Sequence, residues 1–331
     1  MNPFRYERAR DATNAVALLA RAPNGAFLAG GTNLVDHMKL GVRQPDVLID
    51  ITRLPYDRIE ALPDGGIRIG AMVRNADLAA DRTIRTRYPL LAQALLAGAS
   101  GQLRNAATTG GNLLQRTRCV YFQDISKPCN KRAPGSGCSA REGYQRDSAI
   151  LGASEACIAT HPSDMAVALV ALGAIVRVLG PRGERAIPIV EFYRLPDNEP
   201  QRDTVLERDE LITAIDLPEL PFAKHSYYRK VRDRASYAFA LVSIAAALDV
   251  ADGKVQDVRI ALGGVAHKPW RATRAEDMLR GAPATEEMFR RAAEAELNAA
   301  QPLPGNAFKV PLARSALVRA LLDLAEEEEK R

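Results

Sequence analysis

The sequence lacks any segment suited to entering or crossing a membrane. Its longest apolar run, residues 238–248, is interrupted by Ser243 and ends before Asp249, which makes it too short to span a bilayer. Neither an apolar core nor a small-residue cleavage site follows residues 1–8. We therefore predict no membrane span and no export signal on this chain itself.

The sequence also lacks a large excess of either positive or negative charge. The chain has 45 lysines and arginines against 40 aspartates and glutamates, and these residues are spread along its length instead of forming blocks. A net charge of +5 without a basic cluster gives little support to a nucleic-acid partner, so we predict none. A hydrophobic fraction of 47% over 331 residues predicts two or three globular domains with a substantial core.

Two common nucleotide-binding motifs are missing from the glycine-rich turns, and another pattern takes their place. Residues 27–34, which contain Gly30 and Gly31, match neither the G-x-G-x-x-G fingerprint nor the P-loop. A second turn, residues 107–113, contains Gly110 and Gly111. Adjacent glycines can take positive φ and direct successive N–H groups at one phosphate, although either turn alone would also suit a tight bend without ligand. Two such turns predict one large phosphate-bearing ligand held from both sides.

The order of predicted elements indicates an α+β protein in three parts. Residues 1–60 predict a small α/β unit with parallel strands, because strand, helix and strand follow one another closely. Residues 61–220 predict a larger unit with a mostly antiparallel sheet and an irregular insert at 114–157, and residues 221–331 predict a hairpin followed by helices. The predicted helices are 11–21, 33–40, 75–81, 89–97, 163–172, 272–279, 285–297 and 312–327. The predicted strands are 27–29, 47–51, 67–70, 174–179, 185–190, 211–217, 237–250 and 255–262.

Cysteine is rare, and all four residues, Cys119, Cys129, Cys138 and Cys157, lie in one stretch. Their even number allows two disulfides, but without an export signal we do not expect an oxidising compartment. Four thiolates would suit zinc, although the close C-x2-C pairs typical of structural zinc sites are absent. An iron–sulfur cluster accepts more widely separated ligands, and seven basic against two acidic residues between positions 116 and 146 would favour its negative charge. Spacing alone leaves a cluster, zinc and unligated cysteines open.

Four motifs follow one another along the chain: residues 27–34, residues 108–112, His161-Pro162-Ser163-Asp164-Met165, and Lys230-Val231-Arg232-Asp233-Arg234. In this order and rough spacing they resemble the FAD-binding subunits of the xanthine dehydrogenase and aldehyde oxidoreductase family of molybdenum hydroxylases. The resemblance covers nearly the whole chain. It implies a two-part FAD-binding domain of the vanillyl-alcohol-oxidase/PCMH type, followed by an α+β domain similar to the C-terminal domain of CO dehydrogenase flavoproteins.

The insert carries a resemblance of its own. Residues 119–122, Cys-Val-Tyr-Phe, and residues 134–138, Pro-Gly-Ser-Gly-Cys, are similar to a loop that holds a 4Fe-4S cluster in the flavoprotein subunits of periplasmic oxidoreductases for aromatic aldehydes. By that likeness the cluster ligands are Cys119, Cys129, Cys138 and Cys157. The flavoprotein subunits of 4-hydroxybenzoyl-CoA reductases also insert a cluster and resemble this chain, so they remain an alternative.

The resemblance further implies which residues hold FAD. The first turn would bind the pyrophosphate, Asp164 would accept hydrogen bonds from ribose or ribityl hydroxyls, and Lys230 would bring positive charge to the flavin. Without the resemblance, a carboxylate at a helix terminus and a solvated lysine are the simpler interpretations. The cofactor-binding residues predicted in this way are Ala26, Phe27, Leu28, Ala29, Gly30, Gly31, Thr32, Asn33, Leu34, Thr108, Thr109, Gly111, Asn112, Asp164 and Lys230. The histidines are interpreted as structural or surface residues: His37, His161, His225 and His267.

The implied activity belongs to a heterotrimer that converts an aldehyde and water to a carboxylic acid. A large partner would hold molybdopterin and a small partner 2Fe-2S clusters, so we expect no catalytic acid or base on this chain. The chain would receive electrons and pass them through FAD to ferredoxin, a quinone or oxygen. Its location would be periplasmic if a partner carries a twin-arginine signal, and cytoplasmic otherwise. A non-enzymatic zinc-binding interaction module and a stand-alone flavoenzyme are the alternatives from other classes.

The insert at residues 114–157, which contains the four cysteines and is called the thiol loop below, and the two glycine turns are separate segments of sequence. We therefore expect the two sites to be independent, so that replacing Cys129 removes iron and leaves FAD bound.

Overall fold

The computed structural model describes residues 1–329, which form three sheets with helices packed around them. The first sheet is parallel in the order β1-β3-β2. Its elements are β1 (Arg5–Arg8), β2 (Gly25–Leu28), β3 (Val47–Asp50), α1 (Ala12–Ala20) and α2 (Leu34–Lys39). Helix α1 begins where the Asp11 carboxylate accepts from the Asn14 N–H at 2.7 Å, and β3 is buried along its whole length, as a central parallel strand is.

The second sheet is antiparallel in the order β4-β5-β8-β6-β7. Its strands are β4 (Ile59–Ala61), β5 (Ile67–Gly70), β6 (Ile175–Gly180), β7 (Gly183–Pro188) and β8 (Leu211–Leu217). Its helices are α3 (Asn75–Ala80), α4 (Arg82–Arg87), α5 (Pro89–Ala97), α6 (Gly101–Ala106), α7 (Thr109–Leu113), α8 (Val120–Gln123), α9 (Asp164–Ala171) and α10 (Ile189–Phe192). Helix α9 is buried at every position, and the Ser163 hydroxyl accepts from the Ala166 N–H at its start.

The third sheet is antiparallel in the order β12-β11-β10-β9. Its elements are β9 (Ser226–Val231), β10 (Val242–Ala251), β11 (Lys254–Gly263), β12 (Trp270–Arg271), α11 (Thr273–Leu279), α12 (Glu286–Leu297) and α13 (Lys309–Glu329). The predicted hairpin turn lies between β10 and β11, where Asp252 and Gly253 both have positive φ, +51° and +69°. Such a two-residue turn matches the twist of antiparallel strands.

The second and third sheets share one hydrophobic core. Tyr228, Ala245 and Ala261 of the third sheet belong to the same buried cluster as helices α5 and α9. No helix within residues 1–329 is long and apolar enough to cross a bilayer.

The structure corrects several predicted boundaries. Strand β10 begins at Val242 instead of Tyr237, because Tyr237 has a φ of +51°, which an extended strand does not tolerate. Helix α13 begins at Lys309 and not at Leu312. Strand β9 was not predicted, since basic residues hide its apolar alternation. The short strands and the helices of four to six residues outside the predicted set carry too few periods to be recognised from sequence.

Candidate functional site

The first glycine turn connects β2 to α2. Gly31 has a φ of +72°, so an L side chain would be strained there. Gly30 is needed for a different reason, because a Cβ at this position would lie 1.9 Å from the backbone oxygen of Ala106. The small size of Gly30 therefore lets the first turn pack directly against the chain that leads into the second turn.

The second glycine turn is built by side chains that bond to backbone. The Thr108 hydroxyl accepts from the Gly111 N–H at 3.3 Å at the start of α7, and the Thr109 hydroxyl donates to the Val73 carbonyl at 2.9 Å. The Asn112 side-chain oxygen accepts from the Ser163 hydroxyl at 2.6 Å, which ties the turn to the start of α9. These bonds fix the position of the turn relative to the second sheet.

Both turns line one cleft of about 870 Å³. This volume falls in the range typical of small-molecule and cofactor sites. Two residues predicted to bind cofactor do not line it: Leu28 packs with the hydrophobic cluster around Met38, and Thr109 is fully buried on its backbone bond. The predicted residues that do line the cleft are Ala26, Phe27, Ala29, Gly30, Gly31, Thr32, Asn33, Leu34, Thr108, Gly111, Asn112, Asp164 and Lys230.

Asp164 and Lys230 form a buried ion pair on the cleft wall. The Lys230 ammonium donates to Asp164 at 2.8 Å and to the Ala97 carbonyl at 3.0 Å, and its side chain is only 4% exposed. The Tyr228 hydroxyl donates to the other Asp164 oxygen at 2.6 Å. Lys230 is therefore not a solvated lysine, and Asp164 is held in a fixed orientation by two partners.

Several cleft residues were missed by the sequence analysis. Arg43, Arg116 and Arg118 line the cleft near the first turn, and burial lowers the pKa of Arg43 and of Arg118. Burial, together with the charges of Arg118 and Arg116, lowers the pKa of His37 to about 4. His37 was expected to be structural or on the surface; it is buried and also lines the cleft. Arg43 lies nine residues beyond the first glycine motif, and Arg116 and Arg118 lie inside the insert, so no local pattern marked them as cleft residues.

The four cysteines come together around a second, narrow cavity. Cys119, Cys129, Cys138 and Cys157 all line it, together with Phe122 and other residues of the insert. All four thiols are free. Burial raises the pKa of the Cys157 thiol to about 12 and also raises that of Cys119, so thiolates here need compensating positive charge. Within residues 1–329, no three His, Cys, Asp or Glu side chains are arranged to hold a single metal ion.

The thiol loop touches the first glycine turn. The Asn33 side-chain oxygen accepts from the Arg116 N–H at 3.0 Å, and the Arg116 guanidinium lies 4.8 Å over the Phe122 ring. The His37 ring packs edge-on against Phe122 at 5.6 Å between centroids. Separation in sequence does not mean separation in space here, so the structural basis for expecting independent sites is wrong.

A buried charge network anchors the loop on its other side. The Lys131 ammonium donates to the Pro200 carbonyl at 2.7 Å and to the Asp203 carboxylate, and its nitrogen lies 2.8 Å from the His267 Nε2. The Lys131 side chain is 1% exposed. Although burial opposes it, hydrogen bonding by His267 and the charges of Lys131 and Arg116 hold the pKa of Asp203 well below its usual range. The basic insert is therefore not simply a solvated loop.

Of the other three histidines, which the sequence analysis interpreted as structural or surface residues, two are buried and one is partly exposed. His161 and His267 are buried, and burial lowers the pKa of both, that of His161 to about 3. His225 is partly exposed.

Comparison with known proteins places the chain beside flavin-binding subunits. Residues 2–220 match the family described as the FAD binding domain in molybdopterin dehydrogenase, and residues 226–324 match the CO dehydrogenase flavoprotein C-terminal domain. The aldehyde oxidoreductase FAD-binding subunit PaoB of Escherichia coli is 52% identical over 325 residues, covering 98% of both chains. The glyceraldehyde dehydrogenase medium chain of Sulfolobus acidocaldarius is 28% identical over 287 residues, covering 87% of this chain and 84% of its own.

A solved structure agrees with these matches. Carbon monoxide dehydrogenase from Hydrogenophaga pseudoflava contains a chain that superposes with a TM-score of 0.75 at 28% sequence identity, covering 97% of this chain and 96% of that one. The predicted fold class, an FAD-binding domain followed by a C-terminal α+β domain, is confirmed by the two family matches and this superposition.

Proposed function

Because the chain belongs to the family of FAD-binding medium subunits of molybdopterin dehydrogenases, we propose that it is the FAD-binding electron-transfer subunit of a molybdenum-containing aldehyde oxidoreductase. The observation that carries this proposal is the single cleft lined by both glycine turns. The name of the 52% identical Escherichia coli relative supports the aldehyde as substrate class. Bound FAD would accept electrons and release them to an external acceptor.

The residues of the chain would hold FAD from opposite walls of the cleft. Backbone N–H groups of the turn around Gly31 would bind the pyrophosphate, while Thr108 and Asn112 would lie on the facing wall. An ammonium group has three donors, and Lys230 uses two of them on Asp164 and Ala97, which leaves one for the flavin. Each Asp164 oxygen keeps a lone pair for a ribityl or ribose hydroxyl, because Tyr228 and Lys230 occupy one lone pair each.

The thiol cavity would hold one 4Fe-4S cluster on Cys119, Cys129, Cys138 and Cys157. The donor set fits, since four free thiols line one cavity. A zinc ion would need four sulfurs about 2.3 Å from one point, and residues 1–329 offer no arrangement for a single ion. The family match to an FAD-binding domain argues against a non-enzymatic zinc module.

The partners in this proposal are a large subunit with molybdopterin and a small subunit with 2Fe-2S clusters. The medium-chain names of the relatives support a division into several subunits. The acceptor is ferredoxin, a quinone or oxygen, and a twin-arginine signal on a partner would make the complex periplasmic instead of cytoplasmic.

Purification of the complex from its native host tests this function. We expect the chain to co-purify with both partners and FAD, and an aromatic aldehyde to bleach the flavin absorbance of the complex under anaerobic conditions. The isolated chain should keep its flavin and show no aldehyde oxidation. Turnover by the isolated chain would favour a stand-alone flavoenzyme, and reduction of 4-hydroxybenzoyl-CoA in place of aldehyde oxidation would favour the reductase alternative.

A separate measurement tests the cluster. Anaerobically purified protein should contain about four iron and four acid-labile sulfide per chain, and Cys129→Ser should lose most of both. Val120→Ala is the matched control, because its side chain is on the same loop and 52% exposed. Full iron content in Cys129→Ser would refute the ligand set. Because Arg116 of the insert donates to Asn33 of the first turn, we also expect weaker FAD retention in Cys129→Ser.

A further inference from the structure

One buried side chain in the cleft has no bonding partner. Asn75, the first residue of α3, is 3% exposed and lines the cleft. Its side-chain oxygen has no hydrogen-bond partner among residues 1–329. Buried side-chain oxygens are nearly always bonded, so this one is available to a partner outside the chain.

The position of Asn75 points to that partner. The Asn75 backbone N–H donates to the Ala107 carbonyl at 2.9 Å, and Ala106 is the residue whose backbone meets Gly30. The side chain therefore lies on the cleft wall where the two glycine turns come together. This is the part of the cleft in which the phosphates and the adjoining sugar hydroxyls of a dinucleotide would lie.

We propose that Asn75 is an FAD-binding residue whose amide hydrogen-bonds to a hydroxyl next to the pyrophosphate. A phosphate oxygen offers only acceptors, whereas a ribose or ribityl hydroxyl offers a donor for the free Asn75 oxygen. The inference rests on the proposed FAD binding and adds a recognition residue to it. The neighbouring polar residues have other bonds, since Asn112 is held by Ser163 and Asp164 by Lys230.

Replacing the Asn75 side chain distinguishes a role in ligand binding from a structural role. Replacing a buried, unpaired amide by an apolar group of similar shape removes a desolvation cost from the free protein and removes a bond from the complex. A structural asparagine behaves in the opposite way. Asn306 is the matched control, because it is fully buried and bonds to the Ser148 and Ala149 carbonyls and to the Leu303 N–H.

The experiment compares Asn75→Leu, Asn75→Ala and Asn306→Leu in the full chain. Flavin is removed, the thermal stability of each flavin-free protein is measured, and FAD is titrated back while its fluorescence quenching is followed. We expect both Asn75 variants to bind FAD about tenfold more weakly, the effect of losing one hydrogen bond, with Asn75→Leu no less stable than wild type without flavin. Asn306→Leu should lose stability and keep wild-type affinity in its folded fraction.

Two results would overturn the inference. An unchanged Kd for FAD in Asn75→Leu and Asn75→Ala would refute it while leaving FAD binding intact. A loss of stability without flavin in both Asn75 variants that accounts for their weaker binding would make Asn75 structural. If wild-type protein itself bound no FAD, the proposed function would fail, and with it the premise of this inference.

Discussion

Gly30→Ala tests how the two halves of the cleft are joined. The added methyl carbon would lie 1.9 Å from the Ala106 oxygen and 2.7 Å from its carbonyl carbon. Non-bonded heavy atoms normally sit about 3.5 Å apart, so the two segments would have to separate by roughly 1.5 Å. Both atoms met by the methyl group belong to the backbone, and rotation of a side chain cannot relieve the clash.

The expected cost has two parts. Overpacking of this kind destabilises the folded state by about 1–3 kcal/mol or more. In addition, the displaced turns both line the cleft, so we expect FAD binding to weaken by more than tenfold, which corresponds to about 1.4 kcal/mol. Gly31→Val should also lose flavin, because a branched residue is strained at a φ of +72° and its Cβ would lie 3.1 Å from the Val35 side chain.

Gly101→Ala is the matched control for Gly30→Ala. A Cβ on Gly101 meets nothing within 4 Å, and the residue opens α6 without a positive φ, so alanine fits there without strain. The assays are urea unfolding of the flavin-free full chain and FAD titration. Wild-type stability and Kd in Gly30→Ala would show that the two turns do not meet as the structure has them, and the account of the cleft would be wrong.

Two further outcomes follow from buried ionisable groups. Lys131→Met should lower the free energy of unfolding by about 1–3 kcal/mol, because the Pro200 carbonyl and the Asp203 carboxylate lose a buried donor while Arg116 still pairs with Asp203 at 2.8 Å. Lys127→Met on the exposed part of the loop should change it little, and equal urea midpoints would refute this prediction. Stability should also fall as the pH drops below 6.5, because burial lowers the pKa of His161 to about 3 and only the unfolded chain then takes up a proton on this ring. The free energy of unfolding should fall by up to about 1.4 kcal/mol per pH unit. His161→Gln should reduce this slope between pH 6.5 and 4.5, and an unchanged slope would exclude His161 as its source.

Local chemistry let the sequence predict much of the fold. Helix α5 and strand β8 have the predicted bounds, because a proline at the start of a helix and a short, mostly apolar run are properties of short segments. The turn at Asp252 and Gly253 follows for the same reason, since the residues that tolerate positive φ are few. The two glycine turns were likewise visible as segments that leave backbone accessible.

Tertiary structure decided which of these segments meet, and therefore what each residue does. Sequence assigned Gly30 to a phosphate, but packing sets it against Ala106, which no local pattern encodes. Lys230 finds Asp164 across 66 positions and Lys131 finds Asp203 across 72, so each buried charge depends on a partner brought near only by folding. No sequence pattern predicted a role for Asn75, because an unpaired side-chain oxygen can be recognised only after every hydrogen bond around it is known. Backbone preference acts within a few residues, whereas burial and pairing are properties of the whole packed chain.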